Sequence, residues 1–199
     1  KKDYSLAQKL FREAARRASE TTAENALFNE NLAALNANDA SGAAALIKEA
    51  ADSSRLRESI LFEQAHYAAK RMAPQAAELL ANFITLAETP ALKTQARLDQ
   101  AEVALNLNPP DLETVQAILP LLEKEQLSPE QTMQLARLNI LEEESRQEWP
   151  SAIQSCRRAI ALDSEGKQAD MLYLKLGELL YKNGDFHDCL LYTSPSPRD

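Results

Sequence analysis

The sequence predicts an all-α fold built from repeated helical units. Only 4 of the 199 residues are glycine and 6% are aromatic, while Ala, Leu, Glu, Gln and Arg are abundant. These residue types favour helix over strand. A pattern of small and large side chains also recurs at an interval near 36 residues. A fixed period of this length is typical of an array of helical hairpins, so the chain is predicted to form one such array.

The recurring face is clearest in "EWPSAIQSCRRAIALD", where Ala152, Cys156 and Ala159 share one side of a helix. Small residues on such a face let a second helix approach closely, and we predict that Ala152 and Ala159 pack at a helix crossing. The leading positions 7, 43, 76, 115 and 152 differ by 36, 33, 39 and 37. The corresponding sets are Ala7, Phe11 and Ala14; Ala43, Ile47 and Ala50; Ala76, Leu80 and Phe83; and Val115, Leu119 and Leu122.

A second set of helices is predicted between those of the first set. The segments are, in order, "TAENALFNENLAAL", "RLRESILFEQAHYAAKRM", "ALKTQARLDQAEVALNL", "PEQTMQLARLNILEEESRQ" and "KQADMLYLKLGELLYKNG". The acidic run Glu142 to Glu144 in the fourth segment is predicted to form a solvated helix face, and Trp149, just after that segment, to fill a gap between helices.

Several junctions between these segments carry residues that start helices. Asp39, Asp111 and Ser128 stand where a side-chain oxygen would cap a helix. Pro120 lies inside "ETVQAILPLLEKE" and is predicted to kink or divide that helix. Prolines predicted in first turns, where a missing amide hydrogen costs no bond, are Pro74, Pro90, Pro110, Pro129 and Pro150.

Charge and motif content disfavour several classes of function. A formal net charge of −8, from 30 acidic and 22 basic residues, repels nucleic acid, and Arg12, Arg16 and Arg17 are interpreted as a solvated helix face. No apolar run approaches the roughly 18 to 20 residues that cross a bilayer, so we expect no membrane insertion. His66 and His187 are the only histidines, and no catalytic or nucleotide-binding motif occurs. We therefore expect no enzyme activity, metal or cofactor.

The segment "YLKLGELLYKNGDF" resembles the first helix and turn of a tetratricopeptide repeat. It has Tyr173, then Leu176-Gly177, then Leu180-Tyr181, and "EWPSAIQSCRRAIALD" is similar to the second helix of that family. The resemblance spans residues 3–188 and is strongest over 149–188. It implies a right-handed superhelical stack of about five hairpins, an α-solenoid. At the family's tight crossing the earlier units have Ala65, Ala101 and Ile140 where the last has Gly177.

Such arrays act as non-catalytic scaffolds that bind a peptide or partner helix in the concave groove. The resemblance therefore implies a protein or peptide partner, and the family's Lys and Asn carboxylate clamp is missing from the groove positions. The alternative is that the chain is a helical sensor or assembly arm of a larger multidomain enzyme or regulator. The predicted partner-binding residues are Phe62, His66, Leu98, Glu102, Arg137, Leu141, Leu174 and Glu178.

The two ends of the sequence suggest that residues 1–188 are a repeat array truncated at both ends. Residues 189–199, "CLLYTSPSPRD", resemble the translation of a transposase-based sequencing-library adapter, so we interpret them as a non-native tail and the true sequence after residue 188 as undetermined. A truncated array would leave Leu176, Leu179 and Leu180 without a packing partner, and we expect them to be exposed. The style of the sequence is typical of a bacterial protein, and it predicts no compartment.

Overall fold

The structure, a computed structural model, describes residues 3–50 and 53–186. These residues form ten α-helices and no strand, which confirms the all-α prediction. The prediction for residues 189–199 lies outside the described part of the chain. In chain order the helices are α1 Tyr4–Arg17, α2 Glu20–Ala37, α3 Ala40–Glu49, α4 Ser54–Lys70, α5 Ala76–Leu86, α6 Pro90–Leu105, α7 Leu112–Leu122, α8 Pro129–Ser145, α9 Trp149–Leu162 and α10 Ala169–Asn183.

The chain divides into two compact units, with the boundary between Gln100 and Ala101 inside α6. Within each unit the packed helices are neighbours or next neighbours in the chain. Unit 1 pairs α1 with α2, α2 with α3 and α4, α3 with α4, and α4 with α5. Unit 2 pairs α7 with α8, α8 with α9, and α9 with α10. In these pairs, helices therefore pack against elements that are close in sequence.

The recurring face lies in the odd-numbered helices and is buried in four of them. All three members of the face are buried in α5, α7 and α9. In the α3 set two members are buried: Ala43 within the helix and Ala50 directly after it. Ala152 and Ala159 have no exposed surface and lie in the unit 2 core beside Leu172 and Leu176, as predicted. In α1 the face is only partly covered, and Ala14 is exposed.

The two cores are assembled from this face and the even-numbered helices. In unit 1, Leu46 and Ala50 pack with Leu56 and Ile60 of α4. In unit 2, α8, α9 and α10 share one apolar cluster, with Trp149 packed against its edge as predicted. Burial of this apolar surface is the main term that stabilises each unit.

The expectation that Leu176, Leu179 and Leu180 are exposed is wrong. All three are buried, and they share the cluster that includes Ala152. The large apolar side chains that α10 does expose lie on its other faces, including Met171, Leu174 and Tyr181. The small alanines of α9 admit α10 closely, and residues of α8 and α9 together cover the three leucines.

The predicted N-caps are confirmed at all three positions. Asp39 accepts a hydrogen bond from the Gly42 amide at 2.9 Å, and Asp111 accepts one from the Thr114 amide at 3.1 Å. Ser128 Oγ accepts from the Gln131 amide at 3.2 Å, while Gln131 Oε1 accepts from the Ser128 amide at 3.1 Å. This reciprocal pair is a capping box that satisfies two amides at the start of α8.

The proline predictions are confirmed in part. Pro90, Pro129 and Pro150 lie in first turns, whereas Pro74 and Pro110 precede the caps of α5 and α7. At those two positions the proline ring fixes φ in the residue just before the N-cap residue, outside the helix.

Pro120 does not divide α7, which continues through it and ends at Leu122. Pro120 and Gln116, whose carbonyl would have accepted the missing bond, are both exposed. Water can therefore satisfy the carbonyl that the proline leaves without an amide partner.

Replacing Ser128 with Ala is expected to lower the free energy of unfolding of unit 2 by about 1 kcal/mol, because the Gln131 amide loses its acceptor, Ser128 Oγ, while the backbone amide at position 128 can still donate to Gln131 Oε1. Ser128→Gly should cost only a few tenths of a kcal/mol. Urea unfolding followed by the fluorescence of Trp149, the single tryptophan, measures both values. Equal stability of Ser128→Ala and the parent would show that the Ser128 hydroxyl cap contributes nothing.

Candidate partner-binding surface

The eight predicted partner-binding residues differ widely in accessibility. Phe62 is 8% exposed and Leu98 has no exposed surface, so neither side chain is available to a partner in this structure. His66, Glu102 and Leu141 are partly exposed. Arg137, Leu174 and Glu178 are exposed. Phe62 is buried because its ring stacks on His66 at 5.4 Å and packs on Phe83 at 5.5 Å between ring centroids.

His66 of α4 contacts a buried carboxylate of α6. Its Nδ1 lies 2.5 Å from Asp99 Oδ2, and Lys70 Nζ lies 3.7 Å from Asp99 Oδ1. The Asp99 side chain has no exposed surface, whereas the His66 side chain is 30% exposed. The hydrogen bond to Asp99 raises the pKa of His66 above its ordinary value, against the opposing effect of burial. Asp99 is 33 residues away from its partner, and no local sequence signal marks it.

Glu102, Arg137 and Leu141 all lie in unit 2, on α6 and α8. Gln134 Nε2 donates to Glu102 Oε2 at 3.0 Å, so Glu102 helps to hold α8 against α6 within this unit. Arg137 is exposed one turn after Gln134, and Leu141 follows one turn later, partly exposed. These two residues offer a cation and an apolar side chain on one face of α8.

Leu174 and Glu178 lie on an exposed stripe of α10. Met171, Leu174 and Tyr181 are three and seven residues apart, a spacing that places them on one side of the helix. The ring of Phe186 packs edge-on against Tyr181, with centroids 5.5 Å apart. We call Met171, Leu174, Glu178 and Tyr181 the α10 stripe. It combines three exposed apolar side chains with one carboxylate.

Polar side chains about one repeat apart bond to each other within each unit. Each bond joins an even-numbered helix to the next even-numbered helix. The four bonds are Gln64 Nε2 to Asn31 Oδ1 (3.0 Å), His66 Nδ1 to Asp99 Oδ2 (2.5 Å), Gln134 Nε2 to Glu102 Oε2 (3.0 Å) and Lys182 Nζ to Glu144 Oε1 (2.6 Å). Their partners are 33, 33, 32 and 38 residues apart.

The prediction of a solvated face at Glu142 to Glu144 is wrong. Glu142 accepts from Gln116 Nε2 of α7 at 3.1 Å, and Glu143 accepts from Ser155 Oγ of α9 at 3.0 Å. Glu144 contacts α10. Successive residues of a helix point about 100° apart, so three consecutive carboxylates reach three different neighbours of α8.

Glu144 forms ion pairs with two lysines of α10. Its oxygens lie 2.7 Å from Lys175 Nζ and 2.6 Å from Lys182 Nζ. Burial acts to raise the pKa of Glu144, but the hydrogen bonds from the two lysines outweigh it and lower that pKa. Lys182 also lies over the Trp149 ring, 5.3 Å from its centroid.

Glu58 of α4 is a structural connection that sequence analysis missed. Its Oε1 accepts from the amides of Glu88 and Thr89 at 2.8 and 2.7 Å, and its Oε2 accepts from Thr89 Oγ1 at 2.6 Å. The carboxylate therefore caps the start of α6 from another helix. It borders a surface hollow of about 570 Å³ that is also lined by Arg55 and Leu86. No local sequence signal marks a cap that is supplied from 31 residues away.

Other chemistry in the described residues is limited. No group of three or more His, Cys, Asp or Glu side chains is placed there to hold a metal ion. Cys156 is buried, its pKa is raised by burial to about 11, and its Sγ contacts the Leu172 carbonyl at 3.3 Å, so its thiol is unreactive near neutral pH. None of the helices in residues 3–50 and 53–186 has the length and apolar character that crossing a membrane requires.

Comparison with known proteins returned no family model, no curated protein and no solved structure that matches the chain.

Proposed function

We propose that the chain is a tetratricopeptide-like α-solenoid that acts as a non-catalytic interaction scaffold. In this proposal the hairpins form a right-handed superhelical stack, and a peptide or partner helix binds along the concave face. Two features support it: helices pack on their near neighbours in the chain, and polar side chains about one repeat apart bond to each other. Nearest-neighbour contacts of this kind are typical of repeat arrays.

The α10 stripe is the single observation that carries the binding part of the proposal. Its three apolar side chains, Met171, Leu174 and Tyr181, are exposed on one helix face, while the other leucines of the same helix are buried in the core. An amphipathic helix that binds a groove presents apolar anchors at similar spacing. The stripe therefore offers apolar contact area with Glu178 at its edge, and the Arg137 and Leu141 pair offers a second contact region.

Replacing both Arg137 and Leu141 with Ala is expected to weaken partner binding at least tenfold. The circular dichroism spectrum should stay unchanged. Both side chains have exposed surface, so truncation removes partner contacts with little loss of core packing. The partner is first captured from an extract with the immobilised chain, and its affinity for each variant is then measured by titration.

A matched control uses the odd-numbered helices. Gln154 of α9 is exposed and carries no predicted contact, so Gln154→Ala should bind normally. If binding survives the double replacement at positions 137 and 141 but is lost in Gln154→Ala, the partner site lies on the odd-numbered helices and the proposed concave site is wrong.

A further inference from the structure

Asp99 is a buried carboxylate whose partners come from two helices of unit 1. Its Oδ2 lies 2.5 Å from His66 Nδ1, and its Oδ1 lies 3.2 Å from Gln95 Nε2 and 3.7 Å from Lys70 Nζ. Gln95 belongs to α6 itself, whereas His66 and Lys70 belong to α4. A buried charge that lacks a close partner is costly, so the contacts from α4 hold α6 in place.

His66 is the partner that changes charge near neutral pH. Its Nδ1 faces Asp99, and its side chain keeps 30% of its surface exposed, so the ring can exchange a proton with solvent. When the imidazole is protonated, a charge-assisted hydrogen bond joins it to Asp99. When it is neutral, the Nδ1 hydrogen can still donate, but the bond is weaker because one charge is gone. The nearest positive charge to Asp99 is then Lys70 Nζ, which lies 3.7 Å from Asp99 Oδ1.

We propose that His66 and Asp99 form a pH-operated latch between α4 and α6, closed by protonation of His66 and loosened by its deprotonation. The inference concerns unit 1 alone and does not depend on the proposed partner binding. It assigns a regulatory role to a residue that the sequence suggested only as a partner contact.

The charged groups around His66 determine the direction of the switch. Asp99 faces it from α6, and Glu63 and Lys70 face it from its own helix. The hydrogen bond to Asp99 is the largest influence on the pKa of His66 and raises it, while burial and Lys70 act in the opposite sense. Burial raises the pKa of Glu63, and as that carboxyl ionises it favours the imidazolium.

The pH window follows from the raised pKa of His66. The folded chain holds the proton more tightly than the unfolded chain, whose histidine titrates near 6.5. The stabilisation is therefore complete below about pH 6.5 and is lost as the pH rises through the folded pKa. Acidification through this window tightens the contact between α4 and α6, and alkalinisation loosens it.

The test is amide hydrogen exchange between pH 5.5 and 8.5, corrected for the intrinsic exchange rate. Protection of amides in α4 and in the part of α6 from Thr94 to Gln100 should fall with rising pH, about tenfold for each unit by which the folded pKa of His66 exceeds 6.5. Helices α8 and α9 of unit 2 provide an internal reference that should not change. The ring signals of His66, followed by NMR, give its pKa directly.

Three variants make the test specific. Asp99→Asn and His66→Gln should each remove the pH dependence in α4 and α6, while His187→Gln should retain it, since His187 is the only other histidine. Should Asp99→Asn fail to fold, the His66 titration and the His66→Gln comparison still decide the matter. The latch is overturned if His66 titrates at or below 6.5, if protection in the parent is constant, or if His66→Gln keeps the same pH profile.

Discussion

Replacing Leu176 with Ala is expected to lower the free energy of unfolding of unit 2 by about 2–5 kcal/mol. Leu176 is 1% exposed and lies in the cluster that joins α8, α9 and α10. Truncation removes buried methyl groups and leaves a cavity that the surrounding helices fill only in part. Trp149 packs against the same cluster, so its fluorescence reports unfolding of this unit in urea.

Leu174→Ala is the matched control for Leu176→Ala. It makes the same substitution two residues away on the same helix, at a side chain that is 62% exposed. The change in unfolding free energy should stay within about 0.5 kcal/mol. If both variants lose the same stability, or if only Leu174→Ala is destabilised, the buried side of α10 has been assigned incorrectly.

Replacing Ala152 with Leu is expected to destabilise unit 2 by about 1–3 kcal/mol, because the site has no exposed surface to receive three further carbon atoms. The added side chain would have to displace neighbours in the cluster of α8, α9 and α10. A thermal melt followed by circular dichroism and by Trp149 fluorescence measures the loss.

Ala161→Leu makes the same change at an exposed position of α9 and should leave the melting midpoint nearly unchanged. An unaltered midpoint in Ala152→Leu would mean that this alanine does not lie at a close helix crossing, and the repeat pattern would then have the wrong register.

Local sequence chemistry predicted the helices and their ends well. The capping oxygens of Asp39, Asp111 and Ser128 act on amides three residues away, so their role is visible in the sequence itself. The recurring small and large residues likewise identified the buried face of α9, because helical periodicity converts spacing directly into position around the helix.

Contacts between helices were predicted less well. Glu142 to Glu144 resembled a solvated run, because nothing local indicates that Gln116, Ser155 and two lysines surround α8. The burial of Leu176 was missed for a related reason: the sequence suggested a helix that needs a further partner, whereas α9 and α8 already cover that side.

In the candidate site, too, contacts between helices were harder to predict than local features. The register implied by the tetratricopeptide resemblance selected Arg137, Leu174 and Glu178, which are exposed, but it also selected Phe62 and Leu98, which neighbouring side chains bury. The pairing of His66 with Asp99 depends on two helices that meet across 33 residues. Such a pair can be recognised only from the three-dimensional packing of the two helices.

Site-specific photo-crosslinking distinguishes partner binding by the even-numbered helices from binding by the odd-numbered helices. A photoreactive phenylalanine analogue is placed at position 174 on α10 or, as the control, at position 162 on α9, where Leu162 is also exposed. With the captured partner, we expect a covalent product from position 174 and none from position 162. A product from position 162 alone would contradict it, because the partner would then lie on the odd-numbered helices.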